Sequence, residues 1–226
     1  MRAQWPVVGI LAWVLGAGGC VEDDKSFFIR QNQIPDSDCL VSTDATEFRG
    51  AGLLDVSGGY GYYMYPLVEN GLMSTAGDNQ PERNALHMTG FSIEIDLGSI
   101  PGSYPDEVLD FVFLVSGTID PGGQAAYAGI EVIKAELVKR LSIPKGLRPV
   151  VTVSMRAIAK RSGEEMESAE FVFPVTLCNG CLVDFRNTCP LSTDKTILTN
   201  ECGLPQDSAV TCCPTTGGLV TCFSGS

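Results

Sequence analysis

Alternation of apolar and polar residues is the dominant pattern between residues 39 and 177. In three segments apolar side chains occupy every second position and polar residues lie between them, which is typical of half-buried β-strands. The three apolar series are Phe91-Ile93-Ile95-Leu97, Val151-Val153-Met155-Ala157-Ala159 and Phe171-Phe173-Val175-Leu177. Residues 47–56 and 60–67 are two further strand candidates. Segment 109–115 is apolar throughout, which predicts a strand covered on both faces.

Turn-forming residues separate these segments. Residues 161–164 suit a hairpin turn, because Gly163 can adopt a positive φ at no steric cost. About seven short strands punctuated in this way predict a mainly β fold, an antiparallel β-sandwich of the immunoglobulin or fibronectin-III type.

One segment has the spacing of a helix. Ile133, Leu137 and Leu141 recur every four residues, and Glu136 can form an ion pair with Arg140 one turn later. We therefore expect a short helix within residues 131–141. A strand through residues 130–133 is the alternative.

The N-terminus has the three parts of a secretory signal peptide over residues 1–19: Arg2, an apolar run over residues 7–15, and small residues before Cys20. The apolar run falls short of the roughly 20 residues that span a bilayer. Gly18-Gly19-Cys20 resembles the lipobox of bacterial lipoproteins, which implies a diacylglycerol, with acyl chains such as palmitate, on Cys20. Val21 in place of Asp implies sorting to the outer membrane. Ordinary secretion with a free Cys20 is the alternative.

Residues 20–38 are rich in charged and polar side chains, which predicts a lipidated flexible tether. The tether leads to a sandwich domain over residues 39–177. Lys and Arg number 15 against 27 Asp and Glu, and loss of Arg2 with the signal peptide leaves 14 minus 27, or −13. Such an acidic chain is a poor candidate for binding nucleic acid, because phosphates are bound by Lys and Arg.

Cysteine usage fits an oxidising compartment. The chain has nine cysteines, and setting Cys20 aside leaves an even eight, or up to four disulfides. The candidates are Cys39, Cys178, Cys181, Cys189, Cys202, Cys212, Cys213 and Cys222. All but Cys39 lie in residues 178–226, a disulfide-rich C-terminal segment. Bonding between the neighbours Cys212 and Cys213 would strain the geometry, so we expect two different partners for them, and we expect Cys39 to join this segment to the sandwich.

The residues that carry catalysis in other proteins are few. His87 is the only histidine, and no G-x-S-x-G serine motif occurs. Cys178 and Cys181 have C-x-x-C spacing, which serves a structural disulfide, a thiol-redox pair or half of a zinc site. The first is favoured in an exported chain. We therefore predict no catalytic residue, metal site or cofactor, and the alternative is an envelope hydrolase or thiol-redox protein using His87 or Cys178 and Cys181.

Four tyrosines follow a glycine-rich turn. In a regular strand Tyr63 and Tyr65 share one face, while Tyr60 and Tyr62 share the other. Exposed aromatic rings stack on sugars or anchor partner proteins, so Tyr63 and Tyr65 are a candidate binding face. A tyrosine pair that lines the inter-sheet space is the structural alternative.

Four segments resemble uncharacterised lipoproteins of Gram-negative bacteria: Tyr62-Tyr63-Met64-Tyr65-Pro66-Leu67-Val68-Glu69-Asn70, Ser168-Ala169-Glu170-Phe171-Val172-Phe173-Pro174-Val175, Cys178-Asn179-Gly180-Cys181-Leu182 and Pro205-Gln206-Asp207-Ser208-Ala209-Val210-Thr211-Cys212-Cys213. The resemblance implies an exported sandwich with a cysteine-rich end, and it brings no activity with it. We expect a non-enzymatic lipoprotein of the cell envelope. Its expected partners are the membrane and an envelope protein or glycan.

Overall fold

The computed structural model describes residues 26–36, 40–44, 46–77, 80–186, 206–214 and 220–224, with only the backbone of Phe185, Pro214 and residues 220–224. The described chain is mainly β with two short helices, α1 Asp106–Leu109 and α2 Ala135–Arg140. The strands are β1 Phe27–Gln33, β2 Phe48–Arg49, β3 Gly52–Asp55, β4 Tyr62–Met64, β5 Pro66–Asn70, β6 Leu86–Asp96, β7 Asp110–Ile119, β8 Gln124–Ala126, β9 Ile130–Ile133, β10 Val150–Arg161, β11 Glu164–Glu167, β12 Phe171–Cys178, β13 Val183–Phe185, β14 Val210–Pro214 and β15 Val220–Ser224.

The strands form four sheets. One has the order β2-β1-β5-β8, and a larger one has the order β3-β12-β10-β6-β7 with β11 paired to β10. A small sheet, β13-β14-β15, belongs to the C-terminal segment, and β4 pairs with β9 alone. Most pairs are antiparallel, but β3 pairs with β12, and β13 with β14, in parallel. The sandwich was expected to be antiparallel, and the β3–β12 pair departs from that expectation.

The three alternating segments predicted from sequence coincide with β6, β10 and β12, side by side in the larger sheet, with only Leu97 one residue beyond β6, so those predictions are confirmed. Ile93 lies opposite Met155, and Met155 opposite Phe171, so one register aligns the apolar faces of three strands. Full burial of such a side chain contributes roughly 1.5–3 kcal/mol. The predicted hairpin joins β10 to β11, and its turn residues Ser162 and Gly163 have φ of 50° and 91°.

Strand β7 differs from its prediction. It lies at the edge of the larger sheet, and Val112 and Leu114 are 53% and 78% exposed, so segment 109–115 is not covered on both faces. A continuous apolar run in the sequence does not show whether one face of the strand or both are covered. Val112 and Leu114 lie on the face of the sheet that no other layer of the described chain covers, opposite Ser92 and Gly90 of β6.

The predicted tether is also too long. Strand β1 lies within residues 20–38, pairs with β5, and buries Phe27 and Ile29. The ordered domain therefore begins before residue 39. In segment 130–141 both alternatives occur in succession, since β9 pairs with β4 and α2 follows it, with the Glu136–Arg140 ion pair at 2.7 Å.

Among the described residues, no helix has the length and apolar character that crossing a membrane requires.

Candidate functional site

A polar cleft of about 170 Å³ forms where the C-terminal segment meets the domain. We call it the tail cleft. Its walls come from the end of β1, from β2, from the residues around β4 and from residues 206–208 of the C-terminal segment. They are Asn32, Gln33, Ile34, Pro35, Asp36, Arg49, Tyr63, Tyr65, Gln206, Asp207 and Ser208.

Gln206 completes the open side of β4 with its side chain. Its Oε1 accepts from the Tyr63 backbone N–H at 2.8 Å, and its Nε2 donates to the Tyr63 carbonyl at 3.0 Å. One amide thus imitates the hydrogen-bond pair that a neighbouring strand would make. This contact holds the C-terminal segment against the domain at residue 206.

Asp207 provides the charged floor of the cleft. Its side chain is only 6% exposed, and its carboxylate accepts from the Leu53 backbone N–H at 2.8 Å and from the Tyr62 hydroxyl at 3.0 Å. Arg49 Nε lies 3.4 Å from the same carboxylate. Burial raises the pKa of Asp207, although the Leu53 N–H and Arg49 oppose the shift.

Tyr62 reaches Asp207 because Gly52 leaves room for it. A Cβ at position 52 would collide with the Tyr62 hydroxyl, so the glycine is required by this close approach. Tyr62 is fully buried, and burial together with the neighbouring Asp207 carboxylate raises the pKa of its phenol. The phenol is therefore a permanent hydrogen-bond donor to Asp207.

Buried amides form the polar wall of the cleft. Asn32 Oδ1 accepts from the Tyr65 backbone N–H at 2.7 Å, and Gln33 Nε2 donates to the Ser42 carbonyl. Gln33 is 3% exposed, and its Oε1 has no donor among the described residues. A buried acceptor without a donor costs about 1–3 kcal/mol.

Both tyrosines of the candidate binding face line the tail cleft, Tyr63 half-buried and Tyr65 only 4% exposed. The alternation expected for a regular strand does not hold, because a bulge separates Tyr62 from Tyr63 and β4 ends at Met64. The sequence did not point to Asn32, Gln33, Arg49, Gln206 or Asp207. Gln206 and Asp207 do lie in one of the segments that carry the family resemblance.

Cys178 and Cys181 form a disulfide at the end of β12. Asp55 lies beside it, with a carboxylate oxygen and both sulfurs within 4.8 Å of one another. The Asp55 carboxylate accepts hydrogen bonds from the Ser57 N–H and hydroxyl and from the backbone N–H groups of residues 180, 182 and 183. These five donors occupy both oxygens, and the disulfide occupies both sulfurs. In this state the Asp55 carboxylate and the disulfide are a structural cross-link rather than a metal centre.

The pKa of Asp55 reflects these hydrogen bonds. Burial acts to raise it, but the hydrogen bonds from Ser57 and from the three backbone N–H groups outweigh burial, and the pKa lies below its usual value. The carboxylate is therefore ionised next to the sulfurs. Since a neighbouring anion disfavours a thiolate, Cys178 and Cys181 lack the electropositive surroundings of a reactive pair.

The other predicted site residues are spread over the chain. His87 is exposed on β6, and its Nδ1 lies 3.1 Å from the Thr118 hydroxyl. Cys212 and Cys213 are buried and disulfide-bonded, and Cys222 lies opposite Cys212 in the β14–β15 register. Four cysteines lie outside the described residues: Cys20, Cys39, Cys189 and Cys202.

Comparisons with protein-family models, with curated proteins and with solved structures each found no match to this chain.

Proposed function

We propose that this chain is an exported, lipid-anchored envelope protein with a non-enzymatic binding role, and that the tail cleft is its ligand site. The signal-peptide pattern, the lipobox-like Gly18-Gly19-Cys20 and the resemblance to Gram-negative lipoproteins support the location. Disulfide bonding of Cys178, Cys181, Cys212 and Cys213 agrees with an oxidising space.

We also propose that the β2-β1-β5-β8 sheet and the larger sheet are the two layers of a sandwich of the immunoglobulin or fibronectin-III type. Side chains of both sheets belong to one buried apolar cluster, with Phe27 and Val68 on one side and Phe91 and Val153 on the other. Such interdigitation across two sheets is what a sandwich core requires.

The ligand class follows from the chemistry of the tail cleft. Gln33 Oε1 is a buried acceptor without a donor among the described residues, and Arg49, which lines the same cleft, carries N–H donors. A hydroxyl group donates to the first and accepts from the second, and aromatic rings such as Tyr63 pack against sugar rings. The Gln33 acceptor, which no donor of the described residues reaches, carries the proposal that the ligand is a hydroxyl-rich glycan of the envelope.

Binding of the detergent-solubilised full chain to immobilised lipopolysaccharide, peptidoglycan fragments and neutral polysaccharides tests this assignment. Gln33→Met keeps the side-chain length and removes the acceptor, so we expect retention to fall about fivefold, the equivalent of one hydrogen bond. Tyr63→Ala should weaken retention as well. Tyr104→Ala is the control, because Tyr104 is also half-buried but does not line the cleft.

Absence of retention on every carbohydrate, or equal retention by Gln33→Met and the unmodified chain, would show that the cleft is not a glycan site. Cross-linking from position 63 in intact cells then tests the other expected partner, an envelope protein. Denaturant unfolding should show that Gln33→Met is fully folded under the conditions of the binding assay, which separates lost binding from lost folding.

A further inference from the structure

A second cleft, of about 320 Å³, opens where the two larger sheets separate. Phe28 of β1 bridges Ala169, which lies just before β12, and β3 covers β12 only from Val175 onward. Between these two points β12 faces β1 and β2 across a gap. We call this gap the arginine–phenylalanine groove, after Arg30, Arg49, Phe48, Phe171 and Phe173 in its walls.

The polar atoms of the groove are mainly donors. Among the described residues Arg30 bonds through one nitrogen to Glu69, at 3.1 Å, and Arg49 through Nε to Asp207, at 3.4 Å. Each guanidinium has five N–H donors, so both retain donors for a ligand. Gln31 Nε2, a further donor in this wall, is buried without an acceptor among the described residues. Within the described parts of the chain, no carboxylate side chain lines the groove.

The rest of the surface is apolar and partly aromatic. Phe48 is 60% exposed and Val172 is 53% exposed, so the mouth of the groove presents uncovered apolar area. Deeper in, the rings of Phe171 and Phe173 are nearly parallel, at 16°, with centroids 6.3 Å apart. Flat apolar groups pack favourably against such rings.

We propose that the arginine–phenylalanine groove binds a small carboxylate with a flat apolar body, such as an aromatic acid. A carboxylate accepts from Arg30 and Arg49 in the geometry that guanidinium groups favour, and the body covers Phe48 and Phe171. A neutral apolar ligand would leave the arginine and glutamine donors without acceptors. An inorganic anion would leave the rings uncovered. The volume lies at the lower end of the range for ligand pockets, which fits a compact ligand.

Titration of the full chain with 2-naphthoate, followed by the fluorescence of the ligand, tests the proposal. We expect saturable binding, and 2-naphthol, of the same shape but uncharged at pH 7, should bind about tenfold more weakly. Inorganic sulfate at equal concentration should not displace 2-naphthoate. Sulfate displacement, equal binding of 2-naphthol, or no saturation up to millimolar ligand would overturn the proposal.

Arg30→Gln is the informative variant, because Arg49 lines both clefts while Arg30 lines only the groove. It should weaken 2-naphthoate binding about tenfold and leave glycan retention unchanged. Arg140→Gln is a matched control: the two side chains are 47% and 49% exposed, and each forms one ion pair with a glutamate. Equal affinities of the two variants would refute the assignment. Phe48→Ser should weaken binding without affecting the fold, since Phe48 is largely exposed.

Discussion

Two aspartates join the C-terminal segment to the domain, and the fold shifts their pKa values in opposite directions. Asp55 accepts hydrogen bonds from the Ser57 side chain and four backbone N–H groups, and its pKa is lowered. Asp207 has fewer donors for its degree of burial, and its pKa is raised. In both cases some of these bonds connect residues more than 120 positions apart. Periodicity and spacing do not report such contacts, so neither residue was predicted from the sequence.

Asp55→Asn should destabilise the fold by about 2–4 kcal/mol at pH 7, because an amide has one acceptor oxygen where five donors converge. An acid with a lowered pKa stabilises the fold above its unfolded value of about 3.9, and that contribution is lost as the pH falls through the folded pKa. Denaturant unfolding at pH 7 and at acidic pH should therefore show the difference from the unmodified chain shrinking on acidification.

Asp207→Asn is the matched comparison, and its pH dependence has the opposite sign. Since folding raises the pKa of Asp207, its ionised form is penalised above the folded pKa and the penalty disappears as the pH falls below the unfolded value. As the pH falls through this range, the unmodified chain gains stability and the asparagine variant does not. The difference in the free energy of unfolding between the two chains therefore grows on acidification. Parallel pH profiles for the two variants would contradict the assigned pKa directions.

At the level of elements, prediction succeeded where one face of a strand is buried and the other is not. Strands β6, β10 and β12 have that asymmetry, and their alternation shows it directly. Prediction failed for β1, whose polar end contains the buried amides of Asn32 and Gln33, because a buried polar residue looks like an exposed one in sequence. It failed for β7 because a strand with apolar residues on an uncovered face has the same composition as a strand covered on both faces.

The β10–β11 hairpin gives a test at this scale. Gly163 has a φ of 91°, which strains any residue with a Cβ, so Gly163→Ala should destabilise the fold by about 1 kcal/mol. Gly50→Ala is the control, because its φ is not in the left-handed region and a Cβ there meets no atom within 4 Å. It should be neutral or slightly stabilising through the unfolded chain. Thermal unfolding of both variants measures the contrast, and equal midpoints would argue against the turn geometry.

Over the whole molecule, the sequence predicted the structural class better than the residues at which the domain begins and ends. The mainly β class was predicted and is confirmed, whereas the division at residue 39 was not correct because β1 completes the β2-β1-β5-β8 sheet. The candidate site was predicted in part. Tyr63 and Tyr65 line the tail cleft, but the groups that give it polarity come from three distant parts of the chain. Only the folded arrangement brings Gln33, Arg49 and Asp207 together.

The proposed membrane attachment rests on Cys20, and the arithmetic of the cysteines supports it, since a lipidated Cys20 leaves an even number for disulfides. Two or three acyl chains, at about 0.8 kcal/mol per buried CH₂, would hold the chain on a membrane without a spanning helix. Cys20→Ser should therefore move the chain from the membrane fraction to the soluble fraction and abolish incorporation of labelled palmitate. Val21→Asp should keep the palmitate label but shift the chain from the outer to the inner membrane. A Cys20→Ser chain that stays membrane-bound and labelled would remove the anchor from the proposal, while the two clefts would be unaffected.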